Sequence, residues 1–195
     1  MLDGLSRVRG RAVPVTRGRE AMTAQQDAIW VVSERVGDGQ GYALTVHYSD
    51  DVSQSLEASE AVTYAATVTR AAVVADSEAA VYQQLTTALD LAPQETAPVI
   101  TALREQRPES YTAGPLTITP GISAFTGRGF LRCAARDRSW QWDIDGARQH
   151  ARQVLDVASG VEFDRAYEET LVSLLGVDVS TASAVVYDVA AYRET

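Results

Sequence analysis

The residue types best suited to catalysis are scarce in this chain, which carries two histidines, His47 and His150, and one cysteine, Cys133. His47 closes the run LTVHYSDD beside Asp50 and Asp51, and His150 follows Asp143 and Asp145 in WDIDGARQH. A carboxylate beside an imidazole fixes its tautomer and raises its basicity, so either neighbourhood suits a general base or part of a metal site. The spacing argues against metal, because no two histidines stand four apart on one helix and no zinc-type signature is present. Capping and surface roles explain the same residues, and no catalytic or metal-ligating residue is assigned.

The stretch WQWDID, residues 140–145, is the most unusual in the chain. Strand alternation puts Trp140, Trp142 and Ile144 on one face and Gln141, Asp143 and Asp145 on the other. Two indoles side by side can form the floor for a planar or sugar-like ligand, with Asp143 or Asp145 as its polar handle. The same pair serves equally well as the sheet's share of a hydrophobic core, and Asp145 suits a helix N-cap. The candidate ligand-binding residues are therefore Trp140, Trp142, Asp143, His150 and His47; no cofactor is expected.

Other motifs resolve into structure. GDGQG at 37–41 and TGRG at 126–129 fall between strand-like runs, whereas a phosphate cradle needs its glycines to open a helix. No G-x-S-x-G elbow occurs. Glu168 and Glu169 read as the solvated face of an amphipathic helix. Cys133 lies in the apolar run GFLRCAA, has no second cysteine to bridge to, and reads as a buried thiol.

These candidates must be positioned by α and β elements. AIWVVSERVGDGQGYALTVHYS predicts a hairpin around the glycine-rich loop. A helix through Leu56, Ala61, Ala65, Val68 and Ala72 follows, then a second one capped at Asp76 or Ser77 with Val81, Leu85 and Leu89 in a stripe. A short third helix is expected near Thr96, where Pro98 is tolerated, with Val99, Ile100 and Leu103 inward. RPESYTAGP reads as a loop.

Strands then resume. PLTITPGIS predicts a short strand that Pro120 confines to an edge or ends at Thr119, and GFLRCAARDRSWQWDID predicts a hairpin turning at ARDRS. Helices close the chain: 145–159, then 161–176 with Phe163, Tyr167, Leu171 and Leu174 inward, Gly176 as C-cap, and a last one capped by Ser180.

The segments YAATVTRAAVVADSEAAVYQQL (64–85) and HARQVLDVASGVEFDRAYEETL (150–171) align without a gap at a constant offset of 86, sharing alanines at 65/151, 72/158 and 80/166, valines at 68/154 and leucines at 85/171. The order of elements matches too, although the strands require an insertion before Trp140. The expected fold is α+β, antiparallel strands packed against helices in two related halves, paired about a pseudo-twofold axis, sheet beside sheet, with helices over one face. The boundaries are a basic tail at 1–26, a first half at 27–107, a connecting loop at 108–114 and a second half at 115–195, forming one compact domain.

Charge narrows the partners. Residues 1–21 hold five arginines against Asp3 and Glu20, while the other 174 residues hold 12 arginines against 24 acids. A body of net charge −12 repels phosphate backbones, so nucleic acid is not an expected partner of the folded part; the tail is expected to be a flexible extension, with Met22 as an alternative start, or else to contact an acidic surface or its own body. All 17 basic residues are arginine, and lysine and asparagine are absent, which fits a GC-rich coding bias rather than a special chemistry. No run approaches the roughly 20 apolar residues of a membrane span, and no apolar stretch follows the arginines as in a secretory signal, so a cytoplasmic location is expected.

Without a catalytic set, the leading expectation is a non-catalytic binding or assembly protein acting through homodimerisation or a protein partner, with the alanine-rich helix at 53–75 allowing close contact. The alternatives are a small-molecule binder or enzyme with a cleft between the halves, and an acidic protein of the immunity or antidote kind that neutralises a basic partner.

Overall fold

A computed structural model describes residues 29–35, 42–49 and 51–193; the expected tail at 1–26 and the GDGQG loop lie outside them. The fold is α+β. Strands β1 (Trp30–Arg35), β2 (Tyr42–His47) and β3 (Ser53–Leu56) form one antiparallel sheet, followed by helices α1 (Ala58–Ala88) and α2 (Pro93–Glu105). A second antiparallel sheet, β4 (Tyr111–Ala113), β5 (Leu116–Ile122), β6 (Gly129–Ala135) and β7 (Arg138–Asp143), precedes α3 (Ile144–Leu175) and α4 (Val179–Arg193).

Both predicted hairpins are present. β1 pairs with β2 from Trp30↔His47 to Arg35↔Tyr42, and β6 pairs with β7 around a turn at Arg136 and Asp137, with Arg136 in the left-handed region. Two strands depart from expectation. β3 is the polar SQSL, expected as a helix start, and β4 forms inside the expected 108–114 loop, where Gly114 turns the chain at φ 61° and a Cβ would overlap the Gln54 amide. Pro120 lies within β5 rather than ending it, because β4 stops opposite Ile118 and leaves β5 unpaired there on that side.

The long helices differ most. α1 is one helix of 31 residues, about 46 Å long at 1.5 Å per residue, with no break at Asp76 or Ser77. The Ser77 hydroxyl donates to Val73 O at 2.8 Å, and Asp76 accepts from Arg148 of α3 at 2.7 Å, so both cap-type residues are used inside the helix. α3 likewise runs through Gly160 for 32 residues.

The caps also shift. Asp143, not Asp145, caps α3 by accepting from Gly146 N at 2.6 Å, and Asp178, not Ser180, accepts from Thr181 N at 3.0 Å ahead of α4. α2 begins three residues before Thr96, with Glu95 accepting from Ala92 N at 2.8 Å, so Pro98 removes one bond from its second turn. Gly176 is the C-cap of α3 at φ 64°.

The halves are crossed rather than placed sheet beside sheet. α1 packs on β4, β5 and β6 of the second sheet, α3 packs on β1 and β2 of the first, and the two helices pack on each other. One core cluster spans both, from Leu44, Val46 and Tyr48 to Leu116, Ile118 and Leu131. The approach is close: a Cβ on Gly129 would stand 2.6 Å from Ala75 O, so β6 meets the α1 backbone directly. The alanine-rich face of α1 is consumed here. Ala61, Ala65, Ala71, Ala72 and Ala75 are at most 1% exposed, so that face serves the chain's own core.

Element positions repeat through the chain. β1 and β5 start at 30 and 116, α1 and α3 at 58 and 144, α2 and α4 at 93 and 179. The strands keep the spacing as well, β2 and β6 starting at 42 and 129 and β3 and β7 at 53 and 138, so no substantial insertion precedes Trp140.

Candidate functional site

Of the five candidate residues, the structure gathers three. α3 turns His150 into the core, where Tyr64 Oη of α1 lies 3.0 Å from its Nε2. Trp142 of β7 lies over the imidazole with ring centroids 4.9 Å apart, and Trp140 meets Trp142 edge-on at 5.7 Å. Tyr48 extends the row, its ring 6.1 Å from that of Trp140 and its hydroxyl donating to Gln54 Oε1 at 3.1 Å. Cys133, opposite Trp140 in the β6–β7 register, is buried as expected.

The other two stand apart from this row. Asp143 is exposed and occupied as the cap of α3. His47 stacks on its register partner Trp30 with centroids 4.8 Å apart and the rings 8° from parallel.

Burial sets the protonation of the row. Removal of solvent from the imidazolium lowers His150 from 6.5 to about 4, so it is neutral at pH 7. The same loss raises the Tyr48 hydroxyl to about 12, with a hydrogen bond to Tyr64 acting the other way, and raises Tyr64 well above its ordinary value. The Cys133 thiol is pushed up to about 12. A neutral imidazole, two un-ionised phenols and a protonated thiol hold no strong base or nucleophile. The described part of this row is held together by its own hydrogen bonds and ring contacts, and among the described residues no group of His, Cys, Asp and Glu could hold a metal ion.

Sequence reasoning missed Tyr64. A signal existed, because Tyr64 and His150 are the first residues of the two aligned segments, 86 positions apart. Sequence reasoning also missed Glu78, which is buried on α1 and accepts from Arg107 Nε at 2.6 Å and Arg104 Nε at 3.1 Å, locking α2 against α1. At the offset of 86 stands Asp164, buried on α3.

The open apolar surface lies elsewhere. Beyond Ala79 in α1 and Asp164 in α3 neither helix has a buried residue, and each continues as an arm. On the first arm Ala80, Val81, Gln84, Leu85, Ala88 and Leu89 line a shallow groove of about 430 Å³. On the second, Phe163 and Leu174, expected inward, are 54% and 78% exposed; Tyr167 and Leu171 between them are half-buried. Val99 and Leu103 of α2 are likewise exposed, leaving Ile100 as the inward residue of the expected three.

No protein-family model, curated protein or solved structure matches the chain. Among the described residues no helix is long and apolar enough to cross a membrane.

Proposed function

We propose that this is a non-catalytic binding protein that engages a protein partner or a second copy of itself through the apolar faces of its two helical arms. The observation that carries this reading is a conflict between pattern and burial. Phe163, Tyr167, Leu171 and Leu174 follow helical spacing, which is how a sequence encodes a face to be covered, yet the outermost two are more than half exposed. Val81, Leu85 and Leu89 form a comparable stripe on the first arm, at the offset of 86 from Tyr167, Leu171 and Leu175, whereas Phe163 and Leu174 correspond to Ser77 and Ala88. The His150 row, whose rings pack on one another with Tyr64 Oη against His150 Nε2, supports a structural role; its one buried polar atom without a hydrogen-bond partner among the described residues is Trp140 Nε1.

Light scattering behind size exclusion over a wide concentration range tests the reading. The wild-type chain associates, and the paired change Phe163→Ser with Leu174→Ser abolishes association while far-UV circular dichroism stays the same. Monomers at every concentration in both would overturn self-association, and unchanged association in the variant would overturn the assignment of this face.

A further inference from the structure

The contact between the halves is reciprocal. α1 of the first half packs on β5 and β6 of the second, and α3, which starts 86 residues after α1, packs on β1 and β2, the strands that β5 and β6 match in chain position. A surface that receives in one half what it gives in the other is isologous, the arrangement that a twofold axis imposes on two like bodies. Where such an axis passes, equivalent positions meet each other. Tyr64 and His150, 86 apart, do so, with Tyr64 Oη 3.0 Å from His150 Nε2. Each half thus offers the surface that the other requires, and one core cluster runs through both.

Nothing in that surface requires both halves to belong to one chain. They are joined by residues 106–110, between the end of α2 at Glu105 and the start of β4 at Tyr111. Both ends of this join are fixed, Arg107 by its hydrogen bond to Glu78 of α1 and Tyr111 by pairing with Ile118. We propose that the surface between the halves also fits a second copy of this chain: the join opens and two chains exchange halves reciprocally, α1 of each lying against α3 of the other. A short join sets an effective concentration on the order of millimolar for closure within one chain, which favours the monomer in dilute solution. The balance inverts when the join cannot span its anchors, because closure within the chain is then lost while closure between chains keeps every contact. Removing Pro108, Glu109 and Ser110 shortens the join by about 10 Å. This route to a dimer makes no use of the arm faces and is independent of them.

The test reads which chain supplies each helix. Asp76 of α1 and Arg148 of α3 meet at 2.7 Å across the contact, with side chains 55% and 33% exposed, while Cys133 is buried. A full chain carrying Asp76→Cys and a second carrying Arg148→Cys are therefore joined by a short bismaleimide when α1 of one lies on α3 of the other. The two chains are unfolded in urea, mixed and refolded together at about 0.3 mM, close to the effective concentration of the join; the control mixes them after separate refolding. Refolding together gives at least about fivefold more covalent dimer than the control. Deleting residues 108–110 from both chains raises the yield further and gives a dimer by light scattering. Equal yields in sample and control, with circular dichroism showing both chains refolded, overturn the proposal, as does a folded deletion variant that stays monomeric. Adding Phe163→Ser and Leu174→Ser to both chains leaves the yield unchanged; a yield lost with those two changes would assign the dimer to the arms and overturn exchange of halves.

Discussion

Each long helix has two regions built on opposite rules. Up to Ala79 and Asp164, the buried positions of α1 and α3 are mostly alanine and valine, and beyond them larger apolar side chains are left in contact with solvent. Alanine and valine are common in protein cores, but large apolar residues are ordinarily buried beside them. The inversion has a cause in the crossed packing: where a helix lies against a second helix and against the other half's sheet, backbones approach as closely as Gly129 does to Ala75 O, and only small side chains fit. In the arms α2 packs on α1 and α4 on α3, yet Leu89, Phe163 and Leu174 stay more than half exposed, and no close backbone approach limits side-chain size there.

The buried region is most easily broken through His150. Its folded value of about 4 lies below the ordinary 6.5, so between those values the unfolded chain binds the extra proton, and stability is full above pH 6.5 and lost as the pH falls toward 4. At 1.36 kcal/mol per pH unit this amounts to about 3 kcal/mol. Urea unfolding from pH 7 to pH 4 should show that loss in wild type, and His150→Gln should flatten the share of the slope due to this group. A slope unchanged by the substitution would move acid sensitivity elsewhere.

The boundary between regions comes next. Glu78→Ala should cost about 2–3 kcal/mol, less than a fully orphaned buried charge because Arg104 is 42% exposed and can turn to water. Asp76→Ala, two residues earlier, removes an exposed ion pair with Arg148 and should cost less than about 1 kcal/mol. Similar costs in thermal denaturation would erase the contrast between boundary and surface. The smallest effect has the opposite sign. No heavy atom lies within 4 Å of a Cβ built on Gly160, so Gly160→Ala should stabilise α3 by about 0.5–1 kcal/mol, read as a higher urea midpoint.

The same contrast explains what the sequence reveals. Hairpins with β-branched and aromatic arms around clear turns, 30–47 and 129–143, were legible because local preference and final structure agree. β3 and β4 were not, since SQSL and YTA are short and carry little apolar alternation; the neighbouring strands recruit them. Asp76, Ser77 and Gly160 read as helix breaks, and tertiary packing overrides them. At the site, the aromatic and histidine residues stood out by rarity, whereas Tyr64 reaches His150 only through the crossed packing of α1 on α3, and Gln54 reaches Tyr48 through the unforeseen strand β3. The stripe of the second arm was legible as a pattern, but its direction was not, because periodicity fixes which residues share a face and leaves open what covers it.

The crossed packing sets the order of events during synthesis. The first sheet finds its helix, α3, about a hundred residues later in the chain, and α1 finds its sheet some fifty residues later. At about 5–20 residues per second, translation leaves the first half without its counterpart for seconds. During that interval α1 has no second sheet to receive its alanine face. The contacts that join the halves are distant in sequence, which favours slow folding that is completed only after α3 has emerged.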